Sequence, residues 1–251
     1  MILEALQYAA TWWVTTAENR PSIRYSVNLW SRAGRCAKDW AEHEAKTKGA
    51  ILQAAASISP RRTAVVLGSG LLRDVPIVEL SRAFDTVVLV DLVHVASVRL
   101  WVRAKRLNNV TFVERDLSGY DDLKAGKPPE PLGFLRTVPY LDLVVSANLL
   151  SQIGMGVKKR LAEERSGTMA ESCIAQLIGA HLDGLAHVPA KTCLVTDVAF
   201  EVIDRTGNVH ERTDLLAGLA PPASFAQWDW PVVPLGEESK DYRIVHKVIA
   251  R

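Results

Sequence analysis

The sequence is poor in several features that identify a protein at sight, and each shortage narrows its function. Its 251 residues include three cysteines, Cys36, Cys173 and Cys193. None forms a CxxC or CxxH pair, so no zinc or iron–sulfur framework is expected and the metal prediction is none. Three scattered thiols also make no disulfide scaffold, which suits a reducing, cytoplasmic compartment. Charge of one sign is lacking too: 30 Lys and Arg face 28 Asp and Glu, a formal net charge of +2. A protein devoted to neutralising nucleic-acid phosphates carries a larger excess. No uncharged apolar stretch approaches the roughly 18 residues of a membrane span. Glu4 stands where a signal peptide would carry basic residues. No GKS or GKT follows a glycine turn, which excludes a P-loop. Neither repeats nor low-complexity segments occur.

What remains is ordinary globular material. Apolar residues make up 48% and charged residues 23% of the chain, enough for a sizeable core. The length allows one or two domains. Residues 1–58 are rich in Ala, Leu, Trp and charge and read as helical, with Pro21 separating a helix near 2–18 from one near 22–57, which has a second candidate break at Gly34. From Thr63 short apolar runs alternate with amphipathic stretches. TAVVLG (63–68), TVVLVD (86–91), VTFVERD (110–116), LDLVVSAN (141–148) and TCLVTDV (192–198) read as strands; 71–84, 96–107 and 168–187 read as helices. Apolar strands alternating with helices predict a parallel sheet covered on both faces. Segments 224–233 and 241–250 show partial alternation and predict a terminal antiparallel pair. The prolines of 119–139 predict an irregular loop. The expected fold is α/β: a doubly wound, mostly parallel sheet of about seven strands, with a helical N-terminal cap (1–60) before the main domain (61–251).

The sharpest motif is VVLGSGLLRDVP (65–76), where a strand meets Gly68-Ser69-Gly70. Glycine turns the chain tightly and lets a ligand approach without a Cβ in the way. A dinucleotide site needs a third small residue at 73, where Arg73 stands, so NAD and FAD are disfavoured. Asp91 ends the second strand and Asp116 the third, at the edge where ligands bind in such sheets. Two neighbouring carboxylates suit hydroxyl and amino donors and repel a pyrophosphate.

On these residues, together with VERD (113–116) and DLVVSANLL (142–150), the sequence resembles the class I S-adenosylmethionine-dependent methyltransferases over about residues 60–250. The resemblance implies a Rossmann-like fold and S-adenosyl-L-methionine as cofactor. Gly68, Ser69 and Gly70 would approach its methionine part and Asp91 would hold the ribose. Asp116 and Leu117 would flank adenine, and Asn148 would line the methyl-transfer side. Leu72 departs from the third glycine of many members, and Asp74-Val75-Pro76 extends the motif. Neither an NPPY motif nor a Pro-Cys nucleophile is present, so no substrate subfamily is indicated.

Other residues enter as candidates beside their structural readings. Asn148, Gln152 and Asp197 are the catalytic candidates, Glu201 and His94 lie near the same edge, and His181 and His187 read as structural. Residues 19–38 carry Arg20, Arg24, Arg32, Arg35 and Lys38 with no acid, interleaved with Tyr25 and Trp30. They read either as a solvated face or as a cap in which Arg24, Arg32, Arg35 and Tyr25 bind an anionic acceptor; a nucleic-acid stripe ranks third. Trp12, Trp13, Trp228 and Trp230 read as core or interface. The expected function is methyl transfer to a small, anionic acceptor. The alternatives are transfer of the cofactor's aminocarboxypropyl arm, or a non-catalytic module that binds the cofactor and a protein. The sequence leaves oligomeric state open.

Overall fold

A computed structural model describes residues 1–163 and 172–251. The chain begins with three helices, α1 (Ile2–Val14), α2 (Ile23–Arg35) and α3 (Ala37–Ala56). It continues as β1 (Thr63–Leu67), α4 (Ile77–Ala83), β2 (Thr86–Asp91), α5 (Ala96–Ala104), β3 (Val110–Glu114), α6 (Tyr120–Lys124) and β4 (Leu141–Ala147). Then come α7 (Leu150–Glu163), α8 (Ser172–His187), β5 (Lys191–Asp204), β6 (Val209–Asp214), β7 (Ala226–Val233) and β8 (Tyr242–Ala250).

The strands form one sheet of order β3-β2-β1-β4-β5-β8-β7, with β6 paired to the far end of β5. β1 to β5 run parallel, and β8 is antiparallel to both β5 and β7. This is a doubly wound, Rossmann-like sheet with an antiparallel C-terminal extension. The alternation of β1 shows how its two faces are filled. Ala64 and Val66 point into a core shared with α3, α4 and α5, which includes Ile51, Leu80 and Val98. Val65 and Leu67 point the other way, into a core with Leu150 and Ile153 of α7 and Leu177 and Ile178 of α8. A strand buried on both faces must be apolar at every position, as β1 is.

Several sequence expectations need correction. The seven expected strands form the continuous path, and β5 runs on to Asp204 and returns as an eighth strand, β6, off that path. The N-terminal region holds three helices, broken at 15–22 and, two residues past the expected Gly34, at Cys36. Residues 71–76 are irregular and α4 starts only at Ile77; Leu72 has φ +58°, and Pro76 sits at the N-cap. The helix expected at 168–187 begins at Ser172 among the described residues; its first four positions lie outside them. The loop 119–139 contains α6 and a 3-10 turn at Gly133–Thr137. No helix among the described residues is long and apolar enough to cross a membrane.

Candidate active site

The strand order reverses between β1 and β4, and in such sheets the crevice for ligands opens above that reversal. Gly68 leaves β1 there with φ +70°. A Cβ at Gly68 would stand 2.8 Å from the Ala147 carbonyl oxygen, so the neighbouring strand admits no side chain. Gly70 has φ +48°, and a Cβ on it would meet nothing closer than 3.8 Å. The first glycine therefore serves the fold, and the second leaves backbone bare toward open space.

Asp91 closes the floor of the crevice. Its carboxylate accepts the Gly70 N–H at 2.7 Å and the Leu92 N–H at 2.7 Å, which ties the end of β2 to the glycine turn. Burial pushes this carboxyl above its ordinary value, opposed by the neighbouring His94 and by the backbone donors. An ionised carboxylate has about four acceptor positions, so capacity remains for a ligand's hydroxyls. His94 is fully buried, with Nε2 3.1 Å from the Val113 carbonyl oxygen and its ring edge-on to Phe112; it belongs to the wall behind Asp91. Desolvation lowers its pKa, and Asp91 works against that shift.

The other cofactor candidates are placed unevenly. Ser69 is fully buried, and its Oγ has no partner among the described residues. Asp116 accepts the Ser118 N–H at 2.8 Å and pairs with Arg160 of α7 at 2.6 Å, so its carboxylate already serves a turn and an ion pair. Leu117 is a core residue between β1, α7 and α8. Arg73, the bulky residue that argued against a dinucleotide, turns away to Glu44 on α3 at 2.6 Å. Because α4 starts at Ile77, no helix N-terminus opens directly from the glycine turn, and a pyrophosphate would find no cradle of N–H groups there.

Beyond β1 the edge carries a polar and aromatic cluster. Asn148 follows β4 with φ +49°, a conformation that asparagine tolerates better than other residues with side chains. Its Nδ2 lies 2.7 Å from Asp74 Oδ2 and 3.2 Å from His43 Nε2. Trp228 donates to His43 Nδ1 at 3.1 Å, so a neutral His43 carries its proton on Nε2. Two donors then meet at His43 and Asn148 unless the amide presents Oδ1 to the ring. In that orientation Asp74 has to supply a proton, consistent with the burial that raises its pKa. Either way, one polar atom of the Asn148 amide is left for a ligand. Gln152 donates from Nε2 to the Asn148 carbonyl oxygen at 2.8 Å, which supports the first turn of α7.

Asp197, on β5, is buried, and its Oδ2 lies 2.5 Å from Nδ1 of His246 on β8. Its Oδ1 has no partner among the described residues. Trp230 stacks on His43 with centroids 3.9 Å apart and meets the His246 ring edge-on at 5.9 Å. Sequence reasoning reached Asp197 and missed His246, His43 and Asp74. A histidine in the inward phase of a strand or a buried helical stripe was the available signal: His246 alternates with Ile244 and Val248, and His43 lies on the stripe of Trp40 and Thr47. Glu201, two turns of the pleat beyond Asp197, faces the other side and pairs with Lys247 at 3.2 Å.

The N-terminal helices lie over this edge. Ile23 and Val27 of α2 pack on Leu92 and Val93, just past β2. Thr16 binds Glu114 through both its N–H and its hydroxyl, and α1 reaches α5 through Gln7 and Ser97. Tyr25 is about half exposed on α2, and desolvation of its buried part raises its phenol, with further upward pushes from Asp197 and Asp91 and a downward one from Arg32. The expected anion-binding arginines are engaged elsewhere. Arg32 pairs with Glu238, and Arg35 pairs with Glu237 at 2.7 Å; both glutamates lie on the β7–β8 connection. Arg24 is exposed on α2. Two of the five cations of 19–38 thus meet acids from a distant part of the chain, a pairing that local sequence could not reveal.

Burial holds both His43 and His181 neutral, each pushed down to about 4. Unfolded, each would titrate near 6.5. The unfolded chain thus binds more protons between pH 6.5 and 4, and stability falls as pH drops through that window. Each ring contributes about 1.4 kcal/mol of loss per pH unit. Imidazole proton resonances should titrate near pH 4 for these two; a midpoint near 6.5 would show solvated rings.

No family model and no curated sequence matches the chain. Solved structures resemble it in outline. One is N-methyltransferase NodS from Bradyrhizobium japonicum WM9 in complex with S-adenosyl-L-homocysteine, at 12% identity and TM-score 0.39, covering 83% of this chain and 86% of that one. The 23S rRNA methyltransferase ErmE aligns at 14% identity and TM-score 0.33, over 81% of this chain and 68% of its own. The glycopeptide N-methyltransferase MtfA, complexed with S-adenosyl-L-methionine, aligns at 13% identity and TM-score 0.33, over 81% of this chain and 93% of its own.

Proposed function

We propose that the chain is an S-adenosyl-L-methionine-dependent methyltransferase acting on a small acceptor. The observation that carries this reading is the pairing of Asp91 with the bare Gly70 backbone beside the β1–β4 reversal. The donor set fits the cofactor: a carboxylate with spare acceptor capacity for ribose hydroxyls, an open glycine for the methionine arm, and unpartnered polar atoms on Ser69 and Asn148. It fits a dinucleotide poorly, for want of a helix N-terminus at the turn. When bound, the cofactor supplies an electrophilic methyl group. Asp91 then holds one end, and Gly68 fixes the turn against β4. Asn148, clamped by Asp74, orients whatever faces it. Positioning of this kind carries much of the rate when the methyl donor is already activated.

Residues 1–60 form the cap in this reading and 61–251 the cofactor-binding domain. Tyr25, half exposed on α2, is the cap's aromatic candidate for meeting the acceptor. Of the three expected arginines, Arg24 alone has no acid partner among the described residues and is the one open to an acceptor anion. The near-neutral chain still favours a small molecule over a nucleic acid.

Calorimetry tests the assignment. S-adenosyl-L-homocysteine and S-adenosyl-L-methionine should bind saturably, and NAD should give no heat. Tight NAD binding with no response to S-adenosyl-L-homocysteine would reverse it.

A further inference from the structure

We propose that His246, positioned by Asp197, takes the proton from an aromatic hydroxyl acceptor bound among α3, β5, β7 and β8. The inference rests on the methyl-transfer reading and names its acceptor class.

Three observations carry it. First, His246 is oriented as a base should be. Its Nδ1 faces the buried Asp197 carboxylate at 2.5 Å, so the ring proton sits on Nδ1 and Nε2 is left with its lone pair. Nε2 has no hydrogen-bond partner among the described residues and is not among the sealed polar atoms. Second, two unpartnered buried polar atoms belong to the pair and its edge-on neighbour: Asp197 Oδ1 and Trp230 Nε1. A buried polar atom without a partner is costly, and two beside one oriented base mark where a ligand completes the bonding. Trp230 Nε1–H can only donate, so the ligand must bring an acceptor atom as well as its hydroxyl. Third, the surroundings are flat rings: His43, Trp228, Trp230, His246 and Phe200, with Phe200 stacked on His246 at 5.6 Å.

The chemistry selects a phenol among possible nucleophiles. A neutral amine attacks with its own lone pair and sheds its proton afterwards, so it needs no such base. A hydroxyl does need one. A phenol, near pKa 10, is several units more acidic than an aliphatic hydroxyl, close to water at about 15.7, so it is the hydroxyl that gives up its proton to an imidazole more readily. In the step, the acceptor O–H bond breaks and its electron pair stays on oxygen. The proton forms an N–H bond at His246 Nε2, and the imidazolium is stabilised by Asp197 through Nδ1–H. The proton then leaves to solvent. Asp197 is a positioning residue, and His246 is the group that touches the acceptor.

The titratable and charged groups facing His246 are Asp197 from β5 and His43 from α3. Lys247, Glu201 and Asp229 form their own ion pairs on the opposite face of the sheet.

The test uses 4-nitrophenol, whose ionised form absorbs visibly, titrated with the full-length protein with and without S-adenosyl-L-homocysteine. Bound to the wild type, it should ionise at least one pH unit below the free probe. His246→Gln should abolish that shift, a tenfold or greater fall in bound phenolate, while binding S-adenosyl-L-homocysteine as the wild type does. Asp197→Asn should fold and give an intermediate shift, because it keeps the shape and removes the charge; it decides the matter if His246→Gln does not fold. No shift in the wild type, the wild-type shift in His246→Gln, or an unchanged shift in Asp197→Asn would overturn the proposal. Failure of the wild type to bind S-adenosyl-L-homocysteine would instead overturn the cofactor assignment, with the phenolate shift still standing.

Discussion

Replacing Asp91 by alanine is expected to weaken binding of S-adenosyl-L-homocysteine by roughly ten- to a hundredfold, with little change in folding stability. The first half follows from losing charge-assisted hydrogen bonds to two hydroxyls, about 1.5–3 kcal/mol. The second follows from the cost of the buried charge. Burial already raises this carboxyl. Removing it therefore relieves a desolvation penalty while it frees the N–H groups of Gly70 and Leu92, and the two effects oppose each other. Asp91→Asn keeps one acceptor for the turn and should fall between alanine and wild type in affinity. The measurement is isothermal calorimetry beside a urea melt. Wild-type affinity in a folded Asp91→Ala would reduce Asp91 to a clasp on the glycine turn.

The other large effect concerns the two glycines, which should respond in opposite ways. Gly68→Ala places a methyl 2.8 Å from the Ala147 carbonyl oxygen and 3.2 Å from Leu149 Cβ, at φ +70°. The backbone and side-chain strain together are expected to cost roughly 2–5 kcal/mol. For a chain of this size that is a melting temperature lower by roughly 5–15 °C. Gly70→Ala meets only the Gly68 carbonyl oxygen at 3.8 Å and strains only its own φ of +48°. It should melt within a few degrees of wild type and still lose S-adenosyl-L-homocysteine, because its methyl enters the space left for the ligand. Equal melting temperatures for Gly68→Ala and wild type would mean that β1 and β4 can part at the turn.

The parts of this molecule that could be read from its sequence are those that local pattern encodes. β1 to β5 announce themselves because a strand covered on both faces must be apolar at nearly every position. β6 reads Val-His-Glu-Arg-Thr-Asp and is largely exposed, so it carries no such pattern and its pairing depends on the neighbouring end of β5. Helical composition misled at 71–76, where Leu72 in the left-handed region and Pro76 override propensity. The glycine turn and Asp91 were legible because they lie 21 residues apart within one strand–helix–strand unit. The His246–Asp197 pair spans 49 residues and depends on the antiparallel register of β5 and β8. His43 reaches Trp228 across 185 residues. Partners at such separations leave no local spacing to detect. The pairings of Arg32 and Arg35 stayed hidden for the same reason, since their glutamates lie more than 200 positions away.

That last pairing gives α2 two kinds of fastening. Toward β2 it is held by Ile23 and Val27 against Leu92 and Val93, a greasy contact indifferent to salt. Toward β7 it is held in the same way by Leu29 and Ala33, which cluster with Trp40, Trp230 and Val232. Beyond that contact lie the two guanidinium–carboxylate pairs at the surface. Surface pairs of this kind are worth about a kcal/mol or less each and are screened over about 8 Å at physiological ionic strength. Counter-ions compete for these outer pairs and leave both apolar borders in place, so apolar contact seats the cap on the sheet and salt acts at its rim alone.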